Sequence, residues 1–346
     1  MEKEDLRSLD HEQLHKLITD LGEKKYRADQ IFQWLHVKGA NSLDEMTNVP
    51  AALKDRIRQT HEIHMLQTEK VLKSEIDDTR KYLFSLHDGN VIESVFMRYE
   101  HGNSVCISSQ VGCNMGCRFC ASTIDGKARD LSAGEMLAQI YMIMRETGEK
   151  ISNVVVMGSG EPLENYVNLL QFIRMLTDEH GLHISQRNLT VSTCGLVDKI
   201  RSLADEKFQL TLAISLHAAT DEKRRDLMPI ANRFGLDELI PACAYYFDQT
   251  GRRITFEYAL IKGENDSDRD ASDLSALIRG LNCHVNLIPV NPVTERNYQQ
   301  PYKTAVLAFK NKLEKNHINV TIRREMGRDI SGACGQLRRS FSAHFQ

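Results

Sequence analysis

The sequence predicts an α/β protein: an incomplete (βα)6 TIM-like barrel with a small N-terminal helical accessory domain and a short antiparallel β appendage. Three observations predict this fold. The 346 residues, 41% hydrophobic and 26% charged, are enough for about two globular domains with a sizeable core. Strand-like apolar runs alternate with helical segments six times after residue 104. A polar or glycine-rich motif follows each run, where parallel α/β folds carry their active sites.

Composition excludes several classes of protein. The formal net charge is −3, and the hydrophobic and charged fractions are ordinary, so a disordered, collagen-like or coiled-coil protein is excluded. No apolar run reaches the roughly 18 residues that cross a bilayer, and the first ten residues alternate charges without an apolar stretch. We therefore expect a cytoplasmic protein with no membrane partner, whose eight cysteines are kept reduced.

Residues 1–62 are predicted to form the helical accessory domain, a candidate for RNA binding. Asp10 is placed to cap a first helix that ends at Gly22. A second helical pattern covers 28–37, and Pro50 opens a third helix.

Residues 63–99 are predicted to form the β-rich extension. Two β-like runs, at 81–86 and 91–98, are separated by Asp88-Gly89, a dipeptide typical of hairpin turns. We therefore expect an antiparallel appendage to the barrel.

The core barrel is assigned to residues 100–331 and is followed by a C-terminal segment at 332–346. Its strands are predicted at 104–109, 153–157, 189–192, 210–216, 253–260 and 283–288. A further run at 318–323 is expected to cap the barrel. The motifs that follow the six strands are VGCNMGCRFCAS, GSGEP, STCG, SLHA, ALIKGEND and PVNPV. Because parallel strands end at one edge of a sheet, these motifs are expected to converge on one mouth, which indicates an enzyme.

The charge distribution is uneven. Residues 1–62 and 63–295 have net charges of −2 and −8, whereas residues 296–346 contain ten basic and three acidic residues. Such a basic segment either contacts nucleic-acid phosphates or forms solvated helix faces, and charge alone leaves both interpretations open.

Cys113, Cys117 and Cys120 form a CxxxCxxC motif after the first barrel strand. Three thiolates at this spacing can reach one centre, and sulfur ligands favour zinc or an iron–sulfur cluster. A structural zinc site needs four ligands, so Cys106 or His217 would have to supply the fourth one after folding. With three ligands, one iron of a four-iron cluster stays open to bind a substrate. The third interpretation of this motif is that the cysteines are buried thiols that bind no metal.

Phe119 stands immediately before the last cysteine of this motif, at the start of a partial barrel, a combination that resembles the radical S-adenosylmethionine (SAM) superfamily. SSQVGCNMGCRFCAS, GSGEP, SLHA, RRITFEYALIKGENDS, HVNLIPVNPV and GRDISGACGQL further resemble the RlmN/Cfr family of RNA adenine methyltransferases, over roughly residues 10–338. The resemblance implies a radical SAM barrel with one [4Fe-4S] cluster on the three cysteines. It also implies two SAM molecules per turnover, one as methyl donor and one as radical source, and an external one-electron reductant such as a flavodoxin or ferredoxin.

The resemblance also implies which residues hold SAM. They come from the strand-end motifs and comprise Gly160, Glu161, Ser192, Ser215, Leu216, His217 and Asn291. Glycine lets the backbone approach a ligand, a carboxylate accepts from the SAM ammonium group, and hydroxyl or amide groups bind ribose or carboxylate. Taken singly, each is equally typical of an ordinary turn or packing position, so their order and spacing carry the argument.

Three further residues define the implied mechanism. Adenine C2 has no leaving group, so simple methyl transfer from SAM cannot methylate it. In the family the counterpart of Cys334 carries a methyl group, a 5′-deoxyadenosyl radical removes hydrogen from that methyl, and the resulting radical adds to the base. Cys106 then releases the RNA by forming a disulfide with Cys334, and Glu93 corresponds to the proposed proton acceptor. Without the resemblance, these would be two buried cysteines and one polar strand residue.

The implied substrate is adenosine 2503 of 23S ribosomal RNA (rRNA), before full ribosome assembly, with adenosine 37 of transfer RNA (tRNA) as a second substrate in some members. Pro162 favours methylation at C2 over the Cfr-like outcome at C8. Ser159 and Cys194 depart from the family pattern at positions that affect packing of the SAM site, and Cys243 and Cys283 are assigned no chemistry. Two other classes stay open: a radical SAM enzyme with another outcome such as methylthiolation, against which Cys334 argues, and a non-enzymatic zinc or redox-sensing RNA-binding module.

Overall fold

The computed structural model describes residues 3–337 of the chain. Residues 338–346 of the predicted C-terminal segment, which include Arg338 and Arg339 of the basic segment, lie outside the described residues.

The N-terminal unit is helical, as predicted. Its elements are β1 (Glu4–Asp5), α1 (His11–Asp20), α2 (Tyr26–His36), α3 (Ala51–Thr60) and β2 (His61–Glu62). The Asp10 carboxylate accepts the backbone N–H of Gln13, whose side chain accepts the N–H of Asp10, so a capping box begins α1. Pro50 precedes α3 as expected. Apolar side chains from all three helices form a core of their own, which includes Leu14, Ile18, Ile31, Phe32, Leu53 and Ile57.

The β-rich extension is an antiparallel meander. It consists of β3 (Gln67–Lys73), β4 (Arg80–Ser85) and β5 (Val91–Met97). The predicted hairpin joins β4 to β5, and Gly89 in its turn has a φ of +80°. Strand β3 was not predicted. The next strand, β6 (Ser104–Ile107), pairs with β5, so the meander continues the barrel sheet.

The barrel elements follow in alternation. After β6 come β7 (Gln110–Val111), β8 (Arg129–Asp130), α4 (Ala133–Thr147), β9 (Asn153–Val156), α5 (Tyr166–Thr177), β10 (Leu189–Thr193) and α6 (Val197–Asp205). They are followed by β11 (Thr211–Ser215), α7 (Asp221–Leu227), α8 (Leu236–Thr250), β12 (Ile254–Leu260), α9 (Asp268–Leu277), β13 (Cys283–Pro289), α10 (Lys303–Lys315) and β14 (Asn319–Ile322).

The main sheet has ten strands among the described residues, in the order β14-β13-β12-β11-β10-β9-β6-β5-β4-β3. From β6 to β14 every neighbouring pair is parallel, which confirms the predicted (βα) barrel core. The run at 318–323, expected to cap the barrel, forms β14 and pairs in parallel with β13. Strands β3 and β14 are the two edges of this sheet, so the barrel is open.

The main apolar core spans the whole sheet and the helices that cover it. Val154, Val191, Leu212 and Val285 of the parallel strands are fully buried or nearly so. A smaller apolar group holds the chain after β14 against β5 and β6, and it consists of Val95, Met97, Cys106, Met326 and Leu337. No helix in residues 3–337 is long and apolar enough to cross a membrane.

Candidate active site

The three cysteines lie in a loop whose two ends are joined by a short antiparallel pair of strands. Gln110 and Val111 of β7 pair with β8 in antiparallel register, so the two ends of the loop are held together. At Gly116, where φ is +70°, an added Cβ would lie 3.3 Å from the ring of Pro229, so the loop packs closely against the residues that follow α7. Cys113 is buried, and Cys117 and Cys120 are partly exposed to a cavity of about 150 Å³, here called the inner cavity.

Burial raises the pKa of the Cys113 thiol to about 12 and also raises the pKa values of Cys117 and Cys120. The neighbouring thiols act in the same direction on Cys113 and Cys117, because like charges disfavour ionisation. The fully buried Arg224, which donates to the Cys194 carbonyl at 2.7 Å, opposes this at Cys117. Three neighbouring thiols become thiolates together only when a metal centre compensates their charge.

The donor set of the triad fits an iron–sulfur cluster. Around one tetrahedral zinc the sulfur atoms would lie about 3.8 Å apart, given Zn–S bonds of about 2.3 Å. Within residues 3–337, the one group of three potential ligands whose atoms all lie within 4.8 Å of one another is in the N-terminal unit. Cysteine thiolates are the protein ligands of iron–sulfur clusters, so the three cysteines of this loop fit a cluster with three protein ligands.

The GSGEP loop after β9 packs directly on the start of the cysteine loop. A Cβ at Gly158 would lie 2.7 Å from the Ile107 carbonyl oxygen, and one at Gly160 would lie 2.6 Å from Cβ of Gln110. Gly160 also has a φ of +108°. The Gln110 side chain accepts the backbone N–H of Glu161 at 2.8 Å, so this close approach places the predicted SAM-binding loop beside the triad.

The Glu161 carboxylate links the loops that follow β9 and β10. Its carboxylate accepts the N–H of Leu163 at 3.0 Å and the N–H of Cys194 at 2.7 Å. Burial raises its pKa, and those hydrogen bonds act against the rise. The Glu161 carboxylate also interacts with the side chains of Thr193 and Cys194, and it lines the inner cavity.

The next two strands bring their hydroxyl groups together. Ser192 of β10 and Ser215 of β11 lie with their Oγ atoms 3.5 Å apart on the inner cavity. His217, with a φ of +58°, accepts the Ala259 N–H at Nδ1 (2.9 Å), and burial lowers its pKa to about 3. The imidazole is therefore neutral, with its proton on Nε2 as a donor. Leu216 is fully buried in the core and does not line the inner cavity.

Cys334 lies between two adjacent cavities. It lines the inner cavity and also a larger one of about 480 Å³, here called the outer cavity, whose walls include Tyr99, Cys106 and Arg324. Asn291, which also lines both, donates through Nδ2 to the Cys334 carbonyl at 3.0 Å.

The segment that carries Cys334 is fastened to the cysteine loop just after this residue. Ala121 donates to the Gly335 carbonyl at 2.7 Å, and Ser122 donates to the Leu337 carbonyl at 2.7 Å. The carrier candidate and the cysteine loop therefore form one unit.

Cys106 is buried on the wall of the outer cavity. Burial, with a smaller contribution from the neighbouring Cys334 thiol, raises its pKa to about 12. Arg323 faces both thiols: the charge of Cys334 is the main influence that raises the Arg323 pKa, with smaller contributions from Glu257 and Cys106. Arg323 and Glu257 line the inner cavity, and neither was among the predicted site residues. The only signal in the sequence was the basic composition around Arg323.

Glu93 lies apart from both cavities. It is buried on β5, on the same face as Val95 and Met97, and its carboxylate is 3.2 Å from Nζ of the buried Lys81. Lys81 also donates to the Ser331 carbonyl at 3.3 Å. The ion pair therefore lies behind the segment that leads to Cys334, without lining either cavity.

The basic segment divides into two parts. Lys310 and Lys312 of α10 pair with the carboxylates of Glu314 and Asp268 on the protein surface, as solvated helix faces do. By contrast, four basic residues line the outer cavity, namely Lys303, Arg323, Arg324 and Arg328. The outer cavity thus offers positive charge beside Tyr99, which suits a nucleotide.

Most of the predicted site residues converge. The inner cavity brings together Cys113, Cys117, Cys120, Gly160, Glu161, Ser192, Ser215, His217, Asn291 and Cys334. A three-cysteine loop after the first parallel strand and this ring of strand-end groups define the radical SAM class of enzyme. Residues 107–274 match the Radical SAM superfamily model. Residues 4–63 match the model of the ribosomal RNA large subunit methyltransferase N-terminal domain.

Similar proteins cover nearly the whole chain. The probable dual-specificity RNA methyltransferase RlmN of Lachnospira eligens is 60% identical over 97% of this chain and 96% of its own length. A protein of the same name from Clostridioides difficile is 48% identical over 97% of this chain and 98% of its own length. The crystal structure of a radical SAM methyltransferase from Sphaerobacter thermophilus has a TM-score of 0.93 and 42% identity, covering 96% of this chain and 99% of that chain.

The chain therefore belongs to the RlmN family of radical SAM RNA methyltransferases, and the resemblance of the motifs is confirmed. Membership implies SAM and an iron–sulfur cluster as cofactors, in agreement with the geometry of the triad.

Proposed function

We propose that the protein methylates C2 of adenosine 2503 in 23S rRNA, and C2 of adenosine 37 in tRNA, with Cys334 as the methyl carrier. The single observation that carries this proposal is the position of Cys334 on both cavities. A thiol there can receive a methyl group from SAM on one side and present it to an RNA base on the other. The dual-specificity name of the relatives supports two RNA substrates.

In the first half of the reaction, SAM lies in the inner cavity with its ammonium group towards Glu161 and its polar groups towards Ser192, Ser215, His217 and Asn291. The Cys334 thiolate attacks the methyl carbon, so the S–CH₃ bond to the sulfonium breaks and S-adenosylhomocysteine leaves. Arg323 favours this step because its positive charge stabilises the thiolate.

A [4Fe-4S] cluster held by Cys113, Cys117 and Cys120 would, when bound, supply the electron that cleaves a second SAM into methionine and a 5′-deoxyadenosyl radical. Methyl-Cys334 presents its carbon to that radical, loses one hydrogen atom and bonds to adenine C2 in the outer cavity. The protein and the RNA are then covalently joined through the sulfur of Cys334. We propose an external one-electron donor such as a flavodoxin or ferredoxin.

Release of the RNA requires a second thiol and a base. The radical adduct gives up one electron, which the oxidised cluster would take back when bound, and loses the C2 proton, for which we propose Glu93 as the acceptor. The Cys106 thiolate then attacks the sulfur of Cys334, so that a disulfide forms, the C–S bond breaks, and the released methylene carbon takes up a proton to become the methyl group. The position of Cys106 on the outer cavity beside Cys334 supports this assignment. Movement of the segment at Ser331 would bring the Glu93 carboxylate to the base.

We propose 23S rRNA before full ribosome assembly as the substrate, because the target base must leave its stack to enter the outer cavity. The basic residues of the outer cavity, together with the N-terminal unit, would bind the RNA. Such substrates place the enzyme in the cytoplasm. Pro162, on the inner cavity wall, supports C2 over C8 as the methylated atom.

The experiment is mass spectrometry of the protein and of RNA after anaerobic assembly with iron and sulfide. We expect a methyl group on Cys334 and 2-methyladenosine in the RNA. Cys334→Ala should abolish both, whereas Cys106→Ala should accumulate protein crosslinked to RNA. Cys243→Ala, which removes a buried thiol that lines neither cavity, is the matched control and should behave like the wild type.

Three outcomes would contradict the proposal. A Cys106→Ala protein that methylates fully and carries no RNA would exclude the resolving role. Methylation at C8 would exclude the proposed position. A protein without iron that binds zinc tightly at the triad, even after anaerobic assembly, would favour a non-enzymatic RNA-binding module.

A further inference from the structure

A second group of potential metal ligands lies in the N-terminal unit, away from the active site. His11 and His15 are four residues apart on α1, so their side chains lie on one face of the helix. Asp29 reaches the same place from α2. Its Oδ1 atom is 2.9 Å from Nε2 of His11 and 2.6 Å from Nε2 of His15. Among the described residues, this is the one group of three whose ligand atoms all lie within 4.8 Å of one another.

The packing around the group holds these side chains in place. The His11 ring makes an edge contact with Phe32 of α2, with centroids 4.9 Å apart, and lies 4.6 Å from the His15 ring. About a quarter of each histidine side chain and about half of that of Asp29 are exposed, so the group is open to ions from solution. The buried core of the N-terminal unit lies beneath it.

The donor set matches a divalent transition-metal site. Two imidazole nitrogens and one carboxylate oxygen are a common set of three protein ligands for zinc, with bonds of about 2.0–2.2 Å and water in the fourth position. Ligand atoms around such an ion would lie about 3.3–3.4 Å apart. The Nε2–Oδ1 distances observed here, 2.9 and 2.6 Å, are shorter than this by about 0.4–0.8 Å. A small opening of side chains that are partly exposed would therefore admit the ion.

The group also lies where the N-terminal unit meets the barrel. The ring of His180, which follows α5, is 5.2 Å from the ring of His11. At the neighbouring Gly181, the position of a Cβ would be 3.6 Å from atoms of both Phe32 and His36. An ion that joins α1 to α2 here would fix the shape of the N-terminal unit at its contact with the catalytic domain.

We propose that His11, His15 and Asp29 form a binding site for a divalent transition-metal ion such as zinc, separate from the iron–sulfur centre. Both imidazoles bind through Nε2 and carry their proton on Nδ1. The ion replaces the direct contacts that now link each imidazole to the carboxylate, and water completes the coordination.

The test uses the full-length protein with its cluster already assembled, so that the cysteine triad is occupied. Cobalt is the optical probe and zinc the competitor. We expect one equivalent of Co²⁺ to give weak visible bands without intense sulfur-to-cobalt absorption, and zinc to displace it. Zinc should also raise the melting temperature, because it binds only the folded N-terminal unit.

His15→Gln and Asp29→Asn each remove a ligand while keeping size and polarity, and each should weaken zinc binding at least about tenfold. His317→Asn is the matched control, because it removes an exposed histidine outside this group and should leave binding unchanged. Iron content and the circular dichroism spectrum should be the same in all variants, which verifies folding. Absence of a bound equivalent in the wild type, or equal affinity in His15→Gln, would overturn the proposal.

Discussion

Replacing Gly160 by alanine tests whether the close contact between the GSGEP loop and the cysteine loop builds the SAM site. Gly160 has a φ of +108°, and its added Cβ would lie 2.6 Å from Cβ of Gln110 and 2.8 Å from its backbone nitrogen. The backbone strain alone costs about 1–2 kcal/mol. The forced displacement of Gln110 adds about 1–3 kcal/mol, as overpacking typically does. We therefore expect a loss of about 2–5 kcal/mol in the free energy of unfolding.

Gly148→Ala is the matched control. Gly148 also has a positive φ, of +70°, but nothing lies within 4 Å of its Cβ position, so only the strain of about 1–2 kcal/mol applies. Urea unfolding measures both variants, and calorimetric titration measures SAM affinity. Gly160→Ala should also weaken SAM binding, because displacing Gln110 breaks its bond to the N–H of Glu161. Equal stability and equal SAM affinity of the two variants would refute the reasoning.

Two other residues give predictions of a different kind. Burial and the charge of Arg7 lower the pKa of His36 to about 3, so folded His36 stays neutral while the unfolded chain takes up its proton below about pH 6.5. Stability is therefore lost as pH falls, and between pH 7 and 5 the wild type should lose about 2 kcal/mol more than His36→Asn in urea unfolding. Arg323→Met should slow methylation of Cys334, as followed by mass spectrometry, because the positive charge that faces this thiol is removed. Arg323→Lys keeps the charge and should restore most of the wild-type rate.

The barrel and most of its mouth could be predicted because alternation and strand-end position are local properties of a sequence. Ser192 and Ser215 lie near the ends of two neighbouring strands that are separated by one helix, and parallel pairing brings their hydroxyl groups together. The cysteine triad was equally evident, because its three ligands come from one loop.

Residues whose roles depend on distant contacts were not predictable. Arg323 follows an edge strand in a basic stretch, and only the folded chain places its guanidinium beside Cys334 and Cys106. Glu257 belongs to a strand whose other residues are mostly buried, so its sequence predicts a core strand. Arg224 belongs to a helix with several charged residues, among which nothing in the sequence distinguishes it. Strand β3 was missed because most of its side chains are polar and exposed, so it lacks the apolar alternation that identifies a strand.

The placement of Cys334 against the same inner cavity as the triad sets the kinetic order of the proposed reaction. SAM must bind in the inner cavity twice per catalytic cycle. S-adenosylhomocysteine, the product of the first methyl transfer, therefore has to leave before the second SAM binds. Double displacement is the expected steady-state pattern. The resting form that accumulates without RNA would then be the thioether rather than the free thiol.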